Sequence, residues 1–97
     1  MLKVKTIIQR VAAAAFGDLQ VNSRNPVTVM AQGLAGVETV DLRISYNGSA
    51  FMDCYRDGTK VSLTTTNNIM TIYGPGIFRF NKGLTAGAVS CTCYMED

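Results

Sequence analysis

The chain has 97 residues, a formal net charge of +2, 47% hydrophobic side chains and a mean hydropathy of +0.15. That length makes a single domain, and no stretch approaches the roughly 18 apolar residues of a membrane span. The charge is too mild to imply nucleic acid, and the chain has no histidine, the commonest general base and metal ligand.

Residues 1–25 read as an N-terminal helix or partly extended arm. Val4, Ile7, Ile8, Val11 and Ala15 recur at helical spacing, and the alanines from Ala12 to Ala15 favour helix. Leu2, Val4, Thr6 and Ile8 also alternate as a strand would. Gly17 ends the helix-like run of residues 2–16, and Asn22 to Pro26 read as a loop. Gln9 and Arg10 interrupt the apolar run, which makes a poor signal peptide. Lys3, Lys5, Arg10 and Arg24 face only Asp18 here, a balance of +3 against −1 for residues 26–97. Leu2, Val4, Ile7, Ile8 and Val11, with Lys3, Lys5 and Arg10, therefore form the candidate assembly interface. The apolar stripe would pack on a neighbouring subunit while the cations meet acidic groups at the rim. On that reading the segment is dispensable for folding; the competing reading has it complete its own core.

From Pro26 the pattern changes to short alternating runs separated by turn residues about every 8–12 positions. Val27, Val29 and Ala31 share one face of a strand that stops near Gly33. Val40, Leu42, Ile44 and Tyr46 then point one way, and Asp41, Arg43 and Ser45 the other. Asn47-Gly48 and Asp57-Gly58 are hairpin signals flanking a strand from Phe51 to Tyr55. Val61, Leu63 and Thr65 face inward on the next run, and Asn67-Asn68 turns the chain into residues 69–73. Phe78 and Phe80 share a face opposite Arg79 and Asn81, residues 82–87 form a loop, and Val89, Cys91 and Cys93 face inward on the last strand. This describes an all-β fold, an antiparallel β-sandwich (Ig-like or jelly-roll-like) of about seven strands over residues 26–97, preceded by the arm or helix of 1–25.

Little in this pattern carries chemistry. Cys54, Cys91 and Cys93 are odd in number and lack C-x-x-C spacing, so free, buried thiols are expected in place of a disulfide framework, a zinc site or a nucleophile. Glu38, Asp41, Asp53 and Asp57 fit solvated strand faces and turns, with no D-x-D-x-D calcium loop among them. Gly74-Pro75-Gly76 lacks phosphate-loop spacing and reads as a tight turn. The sequence thus offers no catalytic, metal-binding or cofactor-binding residue and is expected not to be an enzyme. Charged residues are 16% of the chain, below the roughly 25% of an average soluble domain. That deficit implies that a partner covers part of the surface.

The run from Val61 to Val89 resembles small virion proteins of tailed bacteriophages. In those, threonines and asparagines precede a P-G-x-[YF]-R-[YF] strand and a T-A-G-A-V strand. The matching residues are Pro75, Gly76, Phe78, Arg79 and Phe80, then Thr85, Ala86, Gly87, Ala88 and Val89. The likeness extends over residues 37–93. It implies a non-enzymatic virion structural protein, a capsid decoration or head or tail accessory, made in the host cytoplasm. Its partners would be further copies of itself in a homo-oligomer and coat or tail proteins. The alternative is a ligand-binding sandwich for a surface glycan or receptor, in which Tyr46, Tyr55, Tyr73 and Tyr94 stack on sugar rings.

Overall fold

Apolar and polar residues alternate through most of this chain. In the computed structural model, which describes residues 2–96, that alternation produces strands and, among the described residues, no helix. In chain order these are β1 (Leu2–Val11), β2 (Ala15–Val21), β3 (Pro26–Gln32) and β4 (Val40–Ser45). Four two-residue strands follow: β5 (Met52–Asp53), β6 (Tyr55–Arg56), β7 (Thr59–Lys60) and β8 (Ser62–Leu63). The last three are β9 (Ile69–Tyr73), β10 (Gly76–Lys82) and β11 (Val89–Glu96). The first sheet runs β1-β11-β3-β9 and the second β2-β10-β4-β5, with β8 also paired to β4 and β6-β7 a separate ribbon. Every pairing is antiparallel.

Most of the expected inward residues, joined by Leu19 from the segment expected as an arm, form the core between the two sheets. Val27, Val29, Ala31, Val89, Cys91 and Cys93 come from the first sheet; Leu19, Val40, Leu42, Phe78 and Phe80 come from the second. The expected pattern fails at the end of β4: Ile44 is exposed and Ser45 buried, and Tyr46 lies beyond the strand and is 89% exposed.

The N-terminal helix or arm requires correction, since residues 1–25 supply an edge strand to each sheet, β1 to the first and β2 to the second. The expected boundary between residues 25 and 26 therefore falls within the sandwich, in the turn between β2 and β3. Met1 and Asp97, within the expected bounds, lie outside the described residues. The helical spacing has a specific cause. The pairing of β1 with β11 shifts register between Thr6 and Ile8 and again between Ile8 and Val11. Each bulge inserts an extra residue and breaks the period of two, so the inward Ile8 and Val11 fall three apart as they would on a helix. Gly17 does not cap a helix. It lies where β2 passes against β1, and a Cβ there would overlap the carbonyl oxygen of Ile7.

The far edge of the second sheet is divided between β5 and β8. The Leu42 N–H donates to Val61 O at 3.0 Å, the Cys54 N–H to Leu42 O at 3.2 Å and the Val61 N–H to Cys54 O at 2.8 Å. This closed ring lets the chain leave β4, extend as the β6-β7 ribbon and return. The ribbon turns at Asp57-Gly58 with φ of 54° and 81°, the two positive values that a two-residue hairpin loop requires. Asn47-Gly48 instead belongs to a longer connection, where Asn47 Oδ1 accepts the Ser49 and Ala50 amides, each at 3.0 Å.

Lys82, expected in a loop, is the last residue of β10 and is 2% exposed. Its Nζ donates to Ala13 O at 2.6 Å, Gly83 O at 3.0 Å and Ala12 O at 3.2 Å. The three donors of the ammonium are matched by three carbonyls of the β1-β2 and β10-β11 connections. The Thr85 N–H also donates to Ala12 O at 2.9 Å, and its hydroxyl, 3.2 Å from Ala12 O, donates to the nearer Gly87 O at 2.8 Å. The carbonyls of Ala12 and Ala13 are therefore occupied at this corner.

Candidate functional site

The eight N-terminal candidates do not form one exposed stripe. Ile8 is 2% exposed and belongs to the core, and Ile7 and Val11 pack against it. Val4 is 73% exposed, and Lys3, Lys5 and Arg10 are also exposed along β1. Leu2 enters through its backbone pairing with Glu96. The apolar half of the expected interface is thus used within its own subunit, because the bulges turn Ile8 inward.

The outer face of the second sheet carries the densest polar arrangement. Arg79 on β10 donates from Nε to Asp18 Oδ1 at 2.7 Å and from a terminal nitrogen to Asp18 Oδ2 at 3.0 Å. Its guanidinium lies 4.2 Å from the Phe16 ring centre and 3.9 Å from that of Phe51. Two aromatic faces and a bidentate carboxylate hold this cation flat against the sheet. Arg43, the cross-strand neighbour of Arg79, pairs with Asp53 at 3.1 Å, and Lys60 lies 3.6 Å from Asp53 and 3.8 Å from Asp41. Asp41 also accepts the Ser62 hydroxyl at 2.7 Å and the Thr39 hydroxyl at 2.9 Å. Three cations and three carboxylates thus neutralise one another across the face. The outward direction of Asp41, Arg43 and Arg79 is legible from alternation; Asp18 was missed because it lay in the segment read as an arm.

Asp18 is held below the usual aspartate range chiefly by its hydrogen bonds from Arg79. Glu38 is held below its own range by the Ala86 and Ala35 amides, at 2.7 and 2.9 Å, and so ties the β3-β4 loop to the β10-β11 loop. Neither carboxylate is set to act as a general base near neutral pH. Because both folded values are depressed, their stabilisation is complete above the unfolded carboxylate range and is lost as pH falls through the folded values. The urea midpoint is therefore expected to fall between about pH 5 and about pH 2, and less so in an Asp18→Asn, Glu38→Gln double variant.

The three thiols are free. Burial, and then the neighbouring Cys93, push Cys91 up to about 12. Burial raises Cys93 as well, opposed by Lys5, and burial followed by the adjacent Asp53 raises Cys54. Thiolate chemistry is suppressed at all three. In the native protein at about pH 8, iodoacetamide is expected to label half-buried Cys54 first, with Cys91 and Cys93 reacting only on unfolding. Equal rates for Cys54 and Cys91 would show that β11 is not packed as described.

A shallow groove of about 370 Å³ opens at one end of the second sheet, with Gln20, Asn22, Ser45, Tyr46 and Ile77 among its lining residues. Its lining supplies amides, hydroxyls and apolar groups, and no carboxylate, thiol or amine. The four tyrosines do not share a platform: Tyr46 follows β4, Tyr55 is on the ribbon, and Tyr73 and Tyr94 are on strands separated by β3.

These features define a two-sheet antiparallel sandwich with a network of paired charges on one outer face and two of its three thiols buried. The fold is similar to that of a solved structure, the SPBc2 prophage-derived protein YomS. The match has a TM-score of 0.76 and 14% sequence identity, and covers 98% of this chain and 92% of that one. A scan against protein-family models and a search of curated proteins found no match.

Proposed function

We propose that this chain is a non-enzymatic structural protein of a tailed-bacteriophage virion, a capsid decoration or head or tail accessory that works as a symmetric oligomer among coat or tail proteins. The likeness in fold to a prophage-derived protein, over nearly the full length of both chains, carries the reading. It agrees with the virion-protein resemblance of residues 37–93. The outer face of the second sheet supports a binding role of this kind, since it groups Arg79 with Phe16 and Phe51, and arginine and aromatic residues are enriched at protein contact surfaces. Quantitative mass spectrometry of gradient-purified particles from the phage or lysogen that encodes the chain tests the proposal. The chain is expected in a fixed ratio to the coat protein, and its absence from intact particles would overturn the reading.

A further inference from the structure

The edges of the two sheets are not equally protected. On the first sheet, β1 carries Lys3, Lys5 and Arg10 and two bulges, devices that blunt an edge against pairing. On the second, β2 carries the ion-paired Asp18, and the opposite edge is split between β5 and β8 and interrupted by the ribbon. The remaining edge, β9, has the sequence Ile-Met-Thr-Ile-Tyr and pairs with β3 in unbroken register from Ile69 to Tyr73. No charged residue occurs anywhere from Val61 to Phe78.

The register also fixes which backbone groups of β9 are open. The Ala31 N–H donates to Asn68 O at 2.9 Å, which makes Ala31 and Asn68 a hydrogen-bonded pair. Bonded and non-bonded pairs alternate along an antiparallel ladder. Val29–Met70 and Val27–Ile72 are then the bonded pairs of β3 and β9. Pro26, which has no N–H, stands opposite Tyr73, as a non-bonded position permits. It follows that Ile69, Thr71 and Tyr73 turn their N–H and C=O groups to the open side. Their side chains are also exposed, Ile69 by 57% and Tyr73 by 61%.

We propose that β9 is a self-pairing edge, at which two copies of this chain join their first sheets antiparallel about a twofold axis through Thr71. Only an extended strand can satisfy a row of alternating donors and acceptors, and β9 is its own complement. The twofold register sets Thr71 opposite Thr71 and Ile69 opposite Tyr73 of the second copy, bringing all three open residues of each strand into bonded pairs. That gives about six main-chain hydrogen bonds, and either neighbouring in-phase register gives fewer. The resulting threonine pair and branched–aromatic pairs are favourable cross-strand neighbours. A neutral strand meets a neutral strand, so no charge is buried. The contact is isologous and closes at two copies. It supplies one interface of the symmetric oligomer proposed above and rests on that reading only for its biological purpose.

Sedimentation velocity of the purified full chain tests the contact. A dimer that dissociates on dilution is expected. Thr71→Lys places two ammonium groups opposite each other on the axis and should raise the dimer dissociation constant at least about tenfold while leaving the melting curve of the monomer unchanged. Thr71→Glu should do the same alone, and an equimolar mixture of the two variants should recover the dimer. A wild-type chain that stays monomeric up to about 1 mM overturns the proposal, as does an oligomer indifferent to Thr71→Lys. A monomeric chain found in virions would overturn the edge contact and keep the virion role; a dimer absent from virions would do the reverse.

Discussion

A chain lacking residues 1–11 is expected to lose its cooperative thermal transition. The deletion removes the whole of β1, which pairs with β11 from Leu2 to Val11. It takes Ile8 out of the core, with Ile7 and Val11 from its margin. Burying a large aliphatic side chain contributes roughly 1.5–3 kcal/mol. Those three side chains and a strand ladder amount to a large part of the roughly 5–15 kcal/mol that stabilises a whole domain. Val89, Cys91 and Cys93, all fully buried now, would lie under a newly opened edge. Ile8→Ala alone should cost about 2–5 kcal/mol in urea unfolding, as buried aliphatic truncations do. Far-ultraviolet circular dichroism through a thermal ramp makes the check. A truncated chain that keeps its sharp melt would restore the reading of this segment as a dispensable arm.

The second large effect is expected at Lys82. Lys82→Met keeps most of the apolar stem and removes the ammonium. Ala12 O retains the Thr85 N–H, while Ala13 O and Gly83 O lose the donor described above. Ala13 and Gly83 are themselves exposed, so water replaces part of what the ammonium gives them, and a loss of about 1–3 kcal/mol is expected. Part of it is offset because the cation no longer has to leave water. Lys82→Ala should cost more, since it also empties the space around the stem. Lys82→Arg should not rescue, because a planar guanidinium does not match a site shaped for a compact ammonium. Urea midpoints at fixed pH separate the three variants. Unchanged stability in Lys82→Met would mean that the corner is held by Thr85 alone.

How far the sequence discloses this fold depends on where its periodicity survives. β3 alternates throughout, as do residues 40–43 of β4, 78–82 of β10 and 89–94 of β11, and the buried residues Val29, Leu42, Phe80 and Cys91 are legible directly. The runs 51–55 and 61–65 were expected as full strands. They are cut to two-residue pieces because Cys54 and Val61 bond each other where the ribbon departs. In β1 the bulges convert an alternating strand into a helix-like spacing, and four consecutive alanines reinforce the error. The carbonyls of the first two, Ala12 and Ala13, are occupied by Lys82 and Thr85, about 70 residues away in the sequence, and local propensity carries no trace of that. Of the candidate surface residues, Val4, Lys3, Lys5 and Arg10 were placed outside correctly. Ile7, Ile8 and Val11 were not, for the same reason of phase. The open edge at β9 was legible only as a strand, since its exposure follows from which strands pair across the sheet.

The position of β11 sets the order in which the molecule can be built. It is the last of the described strands in chain order, yet it lies between β1 and β3. During synthesis the place between β1 and β3 in the first sheet therefore stays empty until residues 89–96 are made. At roughly 5–20 residues per second, that interval lasts seconds. The nascent chain holds Ile8 and Val29 in waiting, and the C-terminal segment acts as a keystone whose insertion joins the two halves in one step.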